Sequence, residues 1–321
     1  MIIKEENKIE LDYNQIFENF NIENLTPKNK LTNHGKNSIN TILQLKDGRL
    51  ASGGNDGAIN IYNKQTFKPD LTINEHSKDV RHITQLKNGN LVSCSYNDHT
   101  INLYELIENN NYKLLYSINV GNDNNPRKIR EIENGEIGLV AGNSIIFYLN
   151  INDELNEDFN IKQNKDQIGY YYNMIAVKPG ELVICGGLNK IQFFDLNSRK
   201  LKEIININRT IYYSPQESLC MINDKCLCVG GGDKISLIDV YQKNIIREIE
   251  DKGYHRCLFK LNDNILLSGK DNGDITQWKI SQTNLTLVHK KEKSHENWIN
   301  QMIHFDKLII SCSTDYSIKI W

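Results

Sequence analysis

The chain has 321 residues, 38 of them basic and 40 acidic, for a formal charge of −2. That length exceeds what one compact core usually fills, so two domains or a modular array is expected. The near balance of charge removes the electrostatic reason to expect nucleic acid as a partner. No apolar run nears the roughly 18 residues that span a bilayer, and the first residues lack a signal-peptide block, so an intracellular, cytoplasmic protein without membrane insertion is expected.

In chain order, residues 1–21 stand apart. Asp12 followed by Gln15 has capping-box spacing, and Tyr13, Ile16, Phe17 and Phe20 fall at i, i+3, i+4 and i+7. This predicts a two-turn amphipathic helix. A helix so short is unstable alone in water, so its apolar stripe must dock, on its own domain or on a partner.

From about residue 22 the pattern turns to short alternating runs separated by Asn-Gly, Asp-Gly and Asn-Asp turn signals. An aromatic or apolar residue closes each unit: Tyr62, Tyr104, Tyr148, Phe194, Ile238, Trp278 and Trp321, at spacings of 42, 44, 46, 44, 40 and 43. The second unit is the plainest, reading as strands from Val80 to Leu86, Leu91 to Ser95, Thr100 to Tyr104 and Lys113 to Val120. Four strands per ~40–45 residues is the period of a propeller blade.

At this point the chain, over roughly residues 22–321, resembles the WD40 repeat family. The family motif is a His at the blade entrance, a Ser in the second strand, an Asp in the following turn and a Trp closing the third. Those roles match His295, Ser311, Asp315 and Trp321 in the seventh unit, His76, Ser93, Asp98 and Tyr104 in the second, and His34, Ser52, Asp56 and Tyr62 in the first. Units 3, 4 and 5 lack the His; unit 6 keeps Ser268 and Trp278 but has Asn272 for the Asp and no entrance His. The resemblance implies an all-β, seven-bladed β-propeller with four antiparallel strands per blade. Trp321 ends a third strand, so residues about 24–32 are expected to add the missing outer strand and close the ring. The expected division is an N-terminal segment, 1–21, and a propeller, 22–321.

Several residues invite a chemical reading that a structural one answers. Cys226 and Cys228 share a strand face with Cys220 nearby, but no further His or Cys completes a zinc set. Cys94 and Cys312 take the place of Gly53 and Gly269, as small packing residues. Gly230 to Lys234 lacks P-loop spacing and reads as a turn. The seven cysteines are scattered and fit reduced thiols, and the sequons at Asn24, Asn208 and Asn284 are chance matches in an Asn-rich chain. The run from Leu149 to Ile168, with Asp153, Glu154, Glu157 and Asp158, is the longest insertion and reads as a solvated outer strand and loop. A His-Ser-Asp set resembles a catalytic triad, yet it recurs in three units, whereas an active site occurs once. No cofactor and no metal are expected.

Function is sought where the repeats differ. With first strands aligned on Leu45, Leu86, Ile132, Val177, Ile222, Leu261 and Phe305, the residue five places earlier is Asn40, Arg81, Arg127, Tyr172, Glu217, Arg256 or Asn300. Seven places earlier stand Ser38, Asp79, Asn125, Tyr170, Pro215, Tyr254 and Trp298. Period-2 geometry puts both sets near the channel entrance. Arg, Tyr and Trp are the residue types that most often carry interface energy, and the family commonly uses this face for peptides or partner proteins. The expected partner-binding rim is therefore Arg81, Arg127, Tyr170, Tyr172, Glu217, Tyr254, Arg256, Trp298 and Asn300. The expected function is a non-catalytic scaffold or adaptor, acting as a monomer or as a subunit of a larger complex. Its partner would be a protein or peptide with acidic or phosphorylated residues. Two alternatives stand beside it: the substrate-recognition subunit of a complex such as a ubiquitin ligase, and a propeller-based enzyme.

Overall fold

A computed structural model describes residues 12–132, 135–151, 154–162, 170–186, 190–207 and 218–321. Its strands form seven four-stranded antiparallel sheets. Blade 1 runs Ile39–Gln44, Leu50–Gly54, Ile59–Tyr62 and Pro69–Ile73; blade 2 runs Val80–Gln85, Leu91–Ser95, Thr100–Ile107 and Asn111–Asn119. Blade 3 is Pro126–Glu131, Ile137–Ala141, Ser144–Ile151 and Glu154–Lys162; blade 4 is Tyr171–Lys178, Glu181–Gly186, Lys190–Asp195 and Lys200–Asn206. Blade 5 is Leu219–Met221, Cys226–Gly231, Lys234–Asp239 and Asn244–Glu250; blade 6 is His255–Asn262, Ile265–Lys270, Ile275–Ser281 and Asn284–Lys291. Blade 7 takes Ile299–Phe305, Leu308–Ser313 and Ile318–Ile320 from the end of the chain and Asn29–Leu31 from its start. The last pairing is antiparallel, Asn29 with Ile320 and Leu31 with Ile318, and it closes the ring. The first strands of successive blades touch in one closed cycle and so line the axis.

The apolar half of each alternating strand packs into the gap between blades. Leu45, Ala51, Ile59 and Ile61 of blade 1 meet Val80, Ile83, Leu91 and Tyr104 of blade 2, and like clusters fill the other gaps. Each such side chain contributes about 1.5–3 kcal/mol on leaving water. Where the gap is tightest, only a small residue fits. A Cβ on Gly53 would lie 2.6 Å from Val80 Cγ1, and one on Gly269 would lie 2.7 Å from Ile299 Cγ2. Cys94 and Cys312 occupy the equivalent register, opposite His82 and Gln301. Both are buried, and burial pushes both thiols well above the ordinary range, which makes them packing groups.

Two irregularities recur. Opposite the closing residue of the third strand, the fourth strand carries a bulge in blades 1 to 6, at Tyr62, Tyr104, Tyr148, Phe194, Ile238 and Trp278. The first strand carries another between Ile39 and Thr41, Val80 and His82, Pro126 and Lys128, Tyr171 and Asn173, His255 and Cys257, and Ile299 and Gln301. A bulge leaves one residue without a partner and re-aims its side chain. The residues so released are Asn40, Arg81, Arg127, Tyr172, Arg256 and Asn300.

The N-terminal helix is a single turn, Tyr13–Ile16, shorter than its periodicity predicts. Asp12 caps it by accepting from the backbone N–H of Asn14 and Gln15. The chain leaves helical geometry at Phe17 because that ring turns into the gap between blades 6 and 7, where it meets Leu261, Met302 and Trp321. Ile22 follows it, fully buried.

The turn between second and third strands needs a left-handed residue. Gly57 and Gly273 supply it at φ +79° and +83°, and a Cβ on Gly273 would strike the His295 carbonyl oxygen at 1.9 Å. His99 and Tyr316 hold the same place at φ 57° and 69°. Gly273→Ala is expected to destabilise by about 2 kcal/mol or more, and Tyr316→Gly to stabilise by about 0.5 kcal/mol. Thermal denaturation of the two variants reads both signs, and a stabilised Gly273→Ala would contradict the turn assignment.

Candidate functional site: the channel rim and the turns that hold it

The turns are held by three side-chain chains of the same design. In blade 7, His295 Nδ1 lies 2.9 Å from Asp315 Oδ2 and Nε2 lies 2.7 Å from Ser311 Oγ, while Trp321 Nε1 donates to Ser311 Oγ at 2.9 Å. With a neutral ring, Nδ1–H donates to the carboxylate, Ser311 donates to Nε2, and every group is satisfied. Burial lowers the imidazole pKa and keeps the ring neutral, although the bond to Asp315 opposes the shift. Burial would raise the Asp315 carboxyl, but His295 and Ser317 outweigh it and hold the group well below the usual range. Blade 2 repeats this through His76, Asp98 at 3.2 Å and Ser93 at 2.6 Å. Blade 1 does so through His34, Asp56 at 2.8 Å and Ser52 at 2.7 Å. Tyrosine stands where blade 7 has Trp, and its hydroxyl meets the Ser at 3.2 Å for Tyr62 and 3.4 Å for Tyr104. Burial pushes both phenols up to about 12. The histidine and serine side chains of all three sets are buried, so no substrate can reach them.

The first-strand bulges set Arg81, Arg127 and Tyr172 around the Tyr96 ring and Arg256 against Trp298. Arg81 lies over the Tyr96 ring at 5.2 Å, and Arg127 is sandwiched between Tyr96 at 4.6 Å and Tyr172 at 4.5 Å. Asp79, buried behind this row, meets Arg81 Nε at 2.5 Å and accepts from the Asn97 side chain at 2.5 Å. Arg256 lies over the Trp298 ring at 4.2 Å. Its pKa is brought down to about 10, chiefly by burial, with Arg81 and Arg127 both adding to the fall. Burial also lowers Arg127, again with Arg81 contributing. The three guanidinium groups, from blades 2, 3 and 6, thus lie close enough for their charges to oppose one another. Tyr254 and Trp298 are exposed beside Arg256, at 40% and 41%, and Tyr170 is half-buried near Tyr172.

One of the expected rim residues is placed differently. Asn300 is buried and donates to the Ile39 carbonyl at 2.8 Å, a clamp from blade 7 to blade 1. Asn40 repeats the clamp toward Val80 at 2.9 Å. Glu217 lies outside the described residues.

A family model, WD domain, G-beta repeat, matches residues 25–63, 67–105 and 286–321, the blades with the three complete side-chain chains. The protein is a seven-bladed propeller carrying WD40 repeats. No curated protein matches it at a significant level.

The blades without the entrance His are held by residues that sequence reasoning passed over. In blade 6, His255 meets Ser268 Oγ at 2.5 Å, and Asp251, four residues before it, binds the buried Lys270 at 2.6 Å. Trp278 donates instead to Thr276 at 3.1 Å. In blade 4, the Tyr171 hydroxyl donates to Gln192 at 3.0 Å. A signal for both was present: His255 and Tyr171 stand in the column filled by Ile39, Val80 and Ile299 elsewhere. Tyr96 was missed outright, because it sits in a turn outside both periodic columns.

Proposed function

We propose that this WD40 propeller is a non-catalytic interaction scaffold or adaptor, which receives an anionic segment of a partner protein on the channel-entrance rim. WD40 propellers are commonly protein-interaction scaffolds, and the rim residues agree with that use. The observation that carries the reading is the convergence of Arg81, Arg127 and Arg256 on one mouth, with aromatic rings stacked on each. Stacked guanidinium groups are oriented before a ligand arrives, which lowers the ordering cost of binding. The exposed Trp298 and Tyr254 offer the apolar area that anchors interfaces.

A ligase-receptor reading would use the stripe from Tyr13 to Phe20 to dock a ligase, but Phe17 is buried at 7% and Tyr13 stacks on His304 at 3.8 Å. An enzyme reading would need a reachable acid, base or nucleophile, and the His and Ser of the recurrent sets are enclosed. The seven cysteines are free thiols, which suits the cytoplasm.

The test is affinity capture from native extract with the full chain as bait, beside an Arg127→Gln, Arg256→Gln variant that keeps the Arg81–Asp79 pair. Specific partners should fall at least tenfold with the variant while its thermal midpoint stays within about 3 °C. Undiminished capture by a folded variant would remove the rim from the interaction.

A further inference from the structure

Among the described residues, the apolar cluster between blades 6 and 7 alone takes side chains from ahead of the first strand. Phe17 and Ile22 fill it against Leu261, Met302 and Trp321. The stretch from Asp12 to Leu25 that carries them sits there as a bound peptide would. Its backbone-to-backbone bonds are internal, from Ile16 to Asp12, Phe17 to Tyr13, Phe20 to Phe17, Asn24 to Asn21 and Leu25 to Ile22. Every hydrogen bond described between it and the body has a side chain at one end or both. Gln277, only 3% exposed, reads its backbone with both ends of one amide, accepting from the Ile22 N–H at 2.9 Å and donating to the Phe20 carbonyl at 2.8 Å. Asn14 and Asp263 exchange two bonds at one end. At the other, Glu23 accepts from the Lys290 N–H at 3.1 Å and lies 3.4 Å from His289 Nδ1, and Lys291 Nζ donates to the Glu23 carbonyl at 3.1 Å. Apolar anchors, backbone readout and matched charge are the elements of peptide recognition. Ring closure is made by other residues, Asn29–Leu31 against Ile318–Ile320, so the stretch can leave with all seven sheets intact.

We propose that the groove between blades 6 and 7 is a second peptide-binding site, apart from the rim, which the chain's own residues 12–25 fill in cis. Its ligand in trans is an extended segment of a partner protein with the same chemistry: an aromatic residue, an aliphatic one five places on and an acid directly after it, as in Phe17, Ile22 and Glu23. The tether holds the chain's own segment at an effective concentration of about a millimolar, so that segment acts as a gate. A partner gains the groove by binding more tightly than the segment, or when the segment is weakened.

The probe is a fluorescent peptide of residues 12–25, titrated by anisotropy into the full chain and into its Phe17→Ala variant. The variant should bind it roughly tenfold more tightly or better, because its own segment competes less well. Phe17→Ala in the peptide, or Gln277→Leu added to the variant chain, should each lower that affinity roughly tenfold or more. Glu23→Lys in the peptide should weaken it by a smaller factor. Adding Arg127→Gln and Arg256→Gln to the variant chain should leave it unchanged; a loss there would place the peptide on the rim and overturn the proposal. Native-state hydrogen exchange on the parent chain needs no substitution and decides the matter where a variant folds poorly. The Ile22 amide, held by Gln277, should exchange roughly ten times faster or more than the Trp321 amide of the blade 7 ladder, through an opening that urea does not promote. Exchange of Ile22 only together with the blade ladders would show that the stretch leaves only when the propeller unfolds, and the proposal would fall. Equal peptide affinity of the parent and a folded variant would sink it too. A dimer of the parent that grows with concentration and that the peptide dissolves would make a second copy the occupant and reject the partner protein.

Discussion

Replacing His295 with alanine is expected to destabilise the protein by about 3–5 kcal/mol, with His76→Ala costing less and His34→Ala least. The order follows from what each ring leaves behind. The Asp315 side chain is 4% exposed, Asp98 9% and Asp56 23%. A carboxylate that has lost its imidazole is penalised in proportion to how little water can replace the lost bond. Asp315 would keep Ser317 Oγ at 2.6 Å and the Glu296 N–H at 3.0 Å, which soften the loss without removing it. Ser311 would keep only the Trp321 indole among the bonds described for its hydroxyl. Urea denaturation followed by tryptophan fluorescence measures the three costs. Equal losses would show that exposure of the carboxylate does not govern these turns.

The second large effect is expected at the N-terminal strap, where Phe17→Ala and Ile22→Ala should each cost about 2–4 kcal/mol. Both side chains fill the gap between blades 6 and 7, and Gln277 holds the strap by its amide, accepting from Ile22 N–H at 2.9 Å and donating to the Phe20 carbonyl at 2.8 Å. Asn14 and Asp263 exchange two further bonds of 2.9 Å. Urea curves should show the loss, and limited proteolysis should find cleavage before residue 29 faster in the variants. Unchanged curves would mean that the strap adds nothing to the body. The same region should be sensitive to acid. His304 is held among Tyr13, Phe259 and Phe17, and burial brings its pKa down to about 4. The unfolded chain, near 6.5, binds this proton more readily, so stability is complete above pH 6.5 and falls as the pH drops toward 4. Discounted for partial exposure, the loss is about 1–2 kcal/mol. His304→Phe should flatten the dependence over that window, and a slope identical to the parent chain would rule out His304 as its source.

Much of the architecture was legible because a repeat reports on itself. The closing residues Tyr62 to Trp321 recur at one period, and the same contact between blades recurs with them. Counting back five residues from Leu45 and its equivalents lands on the bulged residue in each of the six blades where a bulge is described. The count holds because the strand is regular between the two points. What stayed hidden depends on contacts across the ring. The stack of Tyr96 between Arg81 and Arg127 joins a turn of blade 2 to a strand of blade 3, and no local spacing encodes that meeting. Asp251, Lys270 and His255 rebuild a blade 6 turn with the acid and the imidazole in exchanged places, which a motif read in fixed order passes over. Asn300 looked like a neighbour of Arg256 by register, yet its short amide reaches the next blade's backbone, whereas an arginine at the same bulge is long enough to leave it.

The first-strand bulge separates address from foundation. A residue displaced from the ladder takes no part in the pairing of the strands, so exchanging it leaves the rows of buried apolar side chains beneath it untouched. Arg127, Tyr172 and Arg256, and Arg81 together with its partner Asp79, can therefore be rewritten to recognise a cationic or a neutral ligand without redesigning the ring. Asn40 and Asn300 must be left alone, because they belong to the masonry between blades. The fold thus comes with its editable sites already marked, one in each of the blades where the extra residue faces outward.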